Sequence, residues 1–399
     1  MKICFFLYNL FDIGGIQRVV SVLASELVKE HEVYIQCYDD PTEEDRSIYS
    51  LSDRVKVIFL KRTWKKSTLR KALRKWNKKS GILGSRSMRL LCEYSCLLPE
   101  ERSMYRDIIE DKEIDIAIAC GGFESYLLAS IADEVECKTI GWQHSSYKAY
   151  YETKGMGPWA TDHVADKYLP KLDRVVVLNE YDAECFLQKR NLRCVTIHNP
   201  KSFKTKLQAQ LSGKRFISAG RLIPVKAFGL LIESFRIFAE KDKDWTLTIY
   251  GTGMEKEMLE EKIKEYGLEH RVFLPGFSDS MKENLLQSSC YLLSSLWEGM
   301  PMVVLEALEC GVPVIAYDIS AMIPLVDNAV EGFIVQQFDT QKFAQAMLDI
   351  SSDDELRRQM GRAAKKKAEK FEVEYIAQQW NKMFYELIPD MNGEGRIKA

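Results

Sequence analysis

A chain of 399 residues, 46% hydrophobic and 29% charged, is long enough for two globular domains with separate cores. Its net charge of −2 excludes a molecule that attracts polyanions through its overall field. No apolar run approaches the ~18 residues that a membrane-spanning helix needs.

The opening "ICFFLYNLF" could pass for a secretory leader, but only one lysine precedes it and no small-residue cleavage site follows. It predicts a buried first strand. "KICFFLY", "QRVVSVLASELVKE" and "EVYIQCYD" begin an alternation of short β-rich runs with longer amphipathic stretches, which resumes at "IDIAIACGG", "CKTIGWQH", "RVVVLN" and "CVTIHNP". That rhythm indicates βα units around a parallel sheet buried on both faces.

Residues 61–92 break the pattern with twelve Lys and Arg and no acidic residue. Leu69, Leu73 and Trp76, at i, i+4 and i+7, predict a helix with an apolar stripe and a basic back. Such a helix suits an anionic membrane surface, with a solvated surface helix, packing of the stripe on the domain core, and nucleic-acid binding as the other readings. The ten cysteines are scattered. Their one tight pair, Cys92 and Cys96, has helical spacing without His or Cys partners, as expected of reduced cytosolic thiols.

After Pro200 the polar "HNPKSFKTKLQAQLSGK" reads as an interdomain linker. The alternation then restarts with "RFISAG", "GLLIESFRIFAEKD", "WTLTIYGTG", "MEKEMLEEKIKEYGL", "VFLPGF", "CYLLSS", "VPVIAYD" and "GFIVQ". Two Rossmann-like domains are therefore predicted, over 1–200 and 201–370. A last helical run spans Phe371 to Ile388.

The chemistry concentrates in the second half. "SLWEGMP" follows a strand, with Pro301 expected at the first helical position. Glu298 and Gly299 then occupy a loop at the carboxyl end of a parallel strand, where ligands of open α/β sheets bind. The amides of Gly299, Met300 and Met302, backed by the helix dipole, form an anion site for a phosphate. Glu306 lies at most ~12 Å further along the axis, so the two carboxylates suit hydroxyls at opposite ends of one ligand.

Carboxylates repel a phosphate, and Arg221 and Lys226 of "AGRLIPVKAFGLLIESF" supply the cations, a fork and a point charge suited to a diphosphate. Solvated loop cations are the competing reading. Gly251 and Gly253 of "YGTGMEKEMLEE" would let backbone approach a nucleotide closely. No metal site is predicted: the five histidines are dispersed, and Asp242 and Asp244 read as turn residues at the wrong end of the sheet.

"AGRLIPVKAFGLLIESF", "YGTGMEKEMLEE", "VFLPGF" and "SLWEGMPMVVLEALECGVPVIAYD" resemble, in order, the signatures of the GT-B-fold, family-4 (group 1) retaining glycosyltransferases. "NLFDIGGIQRVVSVLASEL", with Gly14 and Gly15, is similar to that family's glycine loop. The resemblance is weakest between residues 40 and 110. It implies two Rossmann-like domains with parallel sheets facing each other across a cleft, and a carboxy-terminal helix (371–399) crossing back onto the first domain.

The same resemblance implies that Arg221 and Lys226 hold the diphosphate of a nucleotide-sugar, that Glu298 contacts the donor sugar and that Glu306 contacts the ribose. "FLPGFSDS" would lie near the base, and His144 of "GWQHSS" would face the donor, a partly buried structural histidine being the alternative. Gly14, Gly15, Gln17 and Arg18 would serve the acceptor side and approach to the diphosphate.

The expected activity is retaining transfer of a hexose-type sugar, from a UDP-sugar in preference to a GDP-sugar. The expected acceptor is a glycan or lipid-linked glycan in surface polysaccharide or glycoconjugate biosynthesis. No metal or other cofactor and no nucleic-acid partner are expected, and the expected location is cytoplasmic, peripheral on the inner membrane face. A GT-B phosphorylase or nucleotide-sugar epimerase is the nearest rival. A nicotinamide oxidoreductase is the next, lacking here the third glycine of its fingerprint.

Overall fold

The computed structural model describes residues 1–61 and 68–389. Arg62, Lys65 and Lys66 of the basic segment, and the chain from residue 390 onward, lie outside the described residues. The chain divides into two compact units, Met1–Pro200 with Val373–Ala399, and Lys201–Glu372.

The first unit holds seven parallel strands: β1 (Lys2–Phe6), β2 (Glu32–Cys37), β3 (Lys56–Phe59), β4 (Ile116–Cys120), β5 (Lys138–Trp142), β6 (Arg174–Val177) and β7 (Val195–Thr196). Their order is β3-β2-β1-β4-β5-β6-β7. The runs "ICFF" and "IAIAC" are buried along their whole length, because helices cover both faces of a parallel sheet. β3 goes beyond the sequence reading. It is an edge strand, exposed or half-exposed throughout, and its apolar run is only the four residues 57–60.

Three helices matter for function here: α1 (Gly15–Leu27), α2 (Thr68–Ser80) and α3 (Arg89–Cys96). The predicted stripe of α2 is divided between core and solvent. Of Leu69, Leu73 and Trp76, only Leu73 is buried, and it joins the core of the first unit. The polar residue Asn77 completes the inward face, its Oδ1 accepting from the Leu83 amide at 3.0 Å. Spacing alone could not show that an asparagine would replace tryptophan there.

The helix Val373–Leu387 packs on the first unit. Buried Trp380 meets Trp142 at 4.8 Å between ring centres, and Asn381 Oδ1 lies 2.9 Å from His31 Nε2.

The second unit has six parallel strands: β8 (Arg215–Ala219), β9 (Thr246–Tyr250), β10 (Val272–Gly276), β11 (Cys290–Leu293), β12 (Val314–Tyr317) and β13 (Gly332–Val335). Their order, β10-β9-β8-β11-β12-β13, reverses between β8 and β11. The expected linker is not a loose tether. Lys201, Thr205, Ala209 and Leu211 are buried in the second unit, and the Ala209 amide donates to Cys310 O at 2.8 Å.

Candidate functional site

In the second unit the site forms where the strand order reverses, the place at which open α/β sheets bind ligands. β8 and β11 are neighbours in register, Tyr291 opposite Ile217. Their carboxyl ends therefore release two loops side by side, residues 220–227 and 294–301. Two hydrogen bonds lace them, the Leu296 amide to Val225 O at 2.8 Å and Ser294 Oγ to Lys226 O at 2.7 Å, and Gln337 Nε2 anchors the second loop by donating to Leu296 O at 2.7 Å. Thus fixed, Lys226 Nζ reaches Glu298 Oε1 at 2.5 Å, both side chains being mostly buried.

The glycines sit where backbone must pass close. Gly251 has φ +142°, and a Cβ there would stand 1.8 Å from Gly220 O. Gly253, at φ +157°, would place one 2.3 Å from Leu222 O. No other residue type tolerates both the left-handed backbone and the contact. Gly220 in turn lies against Lys226, whose Nζ is 3.5 Å from where a Cβ would be. The β8 and β9 loops thus form one layer, the Gly220 amide donating to Tyr250 O at 2.9 Å and the Leu222 amide to Thr252 O at 2.8 Å. Arg221 projects from it, exposed, with no ion-pair partner among the described residues.

Pro301 is not the first helical residue. It is the N-cap, in extended conformation, and the helix runs Met302–Glu309. Pro301 O accepts from the Val304 amide at 3.0 Å. The donors of the first turn are consequently those of Met302 and Val303, while Gly299 and Met300 lie buried in the preceding loop.

Glu306 is buried on this helix, its Oε1 accepting from Ser202 Oγ at 2.5 Å. Ser202 is 104 residues away in sequence, so no local spacing could have named it. Glu309, one turn on, was also outside the sequence reading. It is buried between Lys201 and Lys365, with the Thr205 amide on Oε1 at 2.7 Å. Burial alone would raise its carboxyl, but these cations and the amide bring it below the ordinary range. Glu309 ties the start of the second unit to its later helices and does not enter the site.

Asp242 and Asp244 behave as turn residues: Asp242 Oδ1 accepts the amides of Asp244 and Trp245, and Asp244 pairs with Lys214.

In the first unit the order reverses between β1 and β4. The loop leaving β1 carries Gly14 and Gly15. Gly14 is extended, so its backbone does not demand glycine, and a Cβ at Gly15 would meet nothing within 4 Å. The space over Gly15 is open. The Gly14 amide donates to Tyr49 Oη at 2.8 Å, and Arg18 lies 5.2 Å from that ring's centre, a support that sequence spacing did not reveal.

His144 follows β5, its ring centre 4.3 Å from that of Trp142. Burial holds its imidazole at about 3, so it is neutral at physiological pH. Its buried Nε2 has no hydrogen-bond partner among the described residues.

Residues 201–367 match the family model for glycosyl transferases group 1. An uncharacterized glycosyltransferase of Haemophilus influenzae is 28% identical over 286 residues, covering 69% of this chain and 77% of the relative. The poly(ribitol-phosphate) alpha-N-acetylglucosaminyltransferase of Staphylococcus aureus is 28% identical over 220 residues, 54% of this chain but only 43% of that protein. The crystal structure of S. aureus TarM, in complex with fondaparinux, alpha-GlcNAc-glycerol and UDP, superposes with a TM-score of 0.76. That match covers 96% of this chain and 99% of TarM at 16% identity, a likeness of fold. Residues 201–367 thus carry the group 1 glycosyl transferase domain on a chain of GT-B fold, and the protein is a glycosyltransferase.

Proposed function

We infer that the protein is a retaining hexosyltransferase that moves a sugar from a UDP-sugar to a hydroxyl of a glycan or lipid-linked glycan, in surface polysaccharide or glycoconjugate synthesis. The observation that carries the reading is the meeting of Lys226 and Glu298 at the β8/β11 reversal, with Arg221 on the same loop as Lys226 and Glu306 on the helix beyond. The UDP bound by TarM supports the nucleotide, and the poly(ribitol-phosphate) in the name of the S. aureus N-acetylglucosaminyltransferase supports a cell-surface polymer as acceptor.

The donor diphosphate lies between Arg221, Lys226 and the first-turn amides of the helix. Glu298 accepts from hydroxyls of the transferred sugar. Glu306, held by Ser202, accepts from the ribose. In a front-face reaction the bond from C1 to the phosphate oxygen breaks while one from C1 to the acceptor oxygen forms on the same face. The acceptor's proton passes to the departing phosphate oxygen, and UDP leaves. Arg221 and Lys226 stabilise the charge growing on that diphosphate, so the protein contributes positioning and electrostatics. The reading takes these cations in place of a divalent ion. Gly14 and Gly15 are assigned to the acceptor side, and neutral His144 faces the donor in this reading.

The test is a transfer assay in EDTA with a UDP-hexose panel and proton NMR of the product. Retention of the donor's anomeric configuration supports the reading, and inversion overturns it. Release of sugar phosphate from a glycan and phosphate would instead identify a phosphorylase. No helix among the described residues is long and apolar enough to cross a membrane.

A further inference from the structure

α2 cannot roll about its axis. Leu73 is in the core, and Asn77 Nδ2 donates to Trp159 O at 3.3 Å. Arg74 Nε donates to Ser95 O at 2.6 Å and its guanidinium lies over Phe123. At about 100° per residue, Leu69, Ala72 and Trp76 lie along one flank of that buried face and are exposed, Trp76 by 48%. Next round the helix come Lys71, Lys75, Lys78 and Lys79, all exposed and none with an acidic partner among the described residues.

α3 lies against α2, Arg70 stacking on Tyr94 at 4.2 Å. Its inward face is Cys92, Ser95 and Cys96, and its outward face is Leu90, Leu91 and Tyr94, with Leu90 83% exposed.

We propose that α2 and α3 dock the protein on an anionic lipid bilayer, with Leu69, Trp76, Leu90 and Leu91 entering the boundary between headgroups and acyl chains and the lysines meeting lipid phosphates. Only a bilayer satisfies both halves of this surface. A polyanion such as nucleic acid would engage the lysines and leave the leucines in water. A second copy of this chain would bring one lysine cluster against another. Apolar side chains beside cations are what an interfacial helix needs. The surface touches no residue of the transfer site and stands whether or not the donor assignment does.

The test is co-sedimentation of the full-length chain with neutral phosphatidylcholine vesicles and with vesicles holding about 30% phosphatidylglycerol. Wild type binds the anionic vesicles at least about tenfold more tightly, and about 0.5 M salt weakens that binding. The exposed-site variant Trp76→Ser/Leu90→Ser/Leu91→Ser keeps the thermal midpoint and transfer to a water-soluble acceptor but loses about tenfold or more in anionic-vesicle binding. Lys71→Gln/Lys75→Gln/Lys78→Gln/Lys79→Gln loses the preference for anionic lipid. Wild-type vesicle binding by the serine variant overturns the proposal, as does equal binding of wild type to neutral vesicles. Tight capture of RNA or poly(ribitol phosphate) by wild type and serine variant alike, without vesicle binding, would assign the lysines to a polyanion and overturn it too.

Discussion

Lys226 Nζ lies 2.5 Å from Glu298 Oε1, across 72 residues of sequence. The pair forms because β8 and β11 are adjacent and both point their carboxyl ends at one crevice. Without an anionic ligand each charge is neutralised by the other. On the proposed reading, a bound diphosphate would draw on the ammonium and leave the carboxylate to the sugar.

Removing either partner should therefore damage the reaction more than the fold. Lys226→Ala and Glu298→Gln should each lower kcat by about 10²–10³. Because the two act as a unit, the double variant should be hardly worse than the poorer single one. Steady-state rates at saturating donor decide it, and fully multiplicative losses would show independent roles.

Gly251→Ala is the sharpest backbone test. A methyl group 1.8 Å from Gly220 O at φ +142° forces the β8 and β9 loops apart. A stability loss of about 2 kcal/mol or more is expected, from strain and the broken contact together. Stabilisation by donor in a thermal-shift assay should vanish as well. Serine at Gly15, where a Cβ meets nothing, should cost little stability and act only on turnover.

Glu309→Ala separates architecture from chemistry. It leaves Lys201 buried beside Glu372 alone and should cost about 3–5 kcal/mol, read by urea unfolding. The sign with pH follows from the lowered carboxyl. The stabilisation is present above the ordinary value of 4.5 and is lost as pH falls through the depressed one. Glu309→Ala should flatten that acid limb, while donor affinity per folded molecule stays unchanged.

His144 works in a different window. Its folded value of about 3 lies below the ordinary 6.5. As pH falls from 6.5 towards 3, the unfolded chain takes up a proton that the folded chain refuses. Stability declines by at most about 1.4 kcal/mol per pH unit from this group. His144→Gln should remove that part of the slope, leaving the share of His31, which burial also depresses. No limb from His144 is expected in the rate profile between about pH 5 and 8. An acid limb that disappears in the Gln variant would contradict its neutral state.

What the sequence made legible follows its periodicity. Fully buried strands such as "ICFF" and "IAIAC" announce themselves, and the spacing of Glu298 from Glu306 survives because loop and helix are contiguous. Edge strand β3 is less legible because its apolar run, residues 57–60, is short and leads straight into the basic segment. Pro301 was misplaced by one position, since proline satisfies an N-cap as readily as a first turn. Ser202 on Glu306, Tyr49 under Gly14 and the Lys201–Glu309–Lys365 cluster are long-range contacts, and nothing local encodes them. The stripe on α2 is divided because Asn77, hydrogen-bonded inward, shares the buried face with Leu73 while Leu69 and Trp76 stay exposed.

The central claim is that the crevice where β8 meets β11 grips the diphosphate of a nucleotide-sugar. Isothermal titration of the full-length chain in EDTA, with UDP- and GDP-sugars, measures this directly. One donor should bind the wild type, and Lys226→Ala and Arg221→Ala, still folded by circular dichroism, should each weaken it by about tenfold or more. Undiminished affinity in both variants, or no binding of any nucleotide-sugar to the wild type, would contradict it.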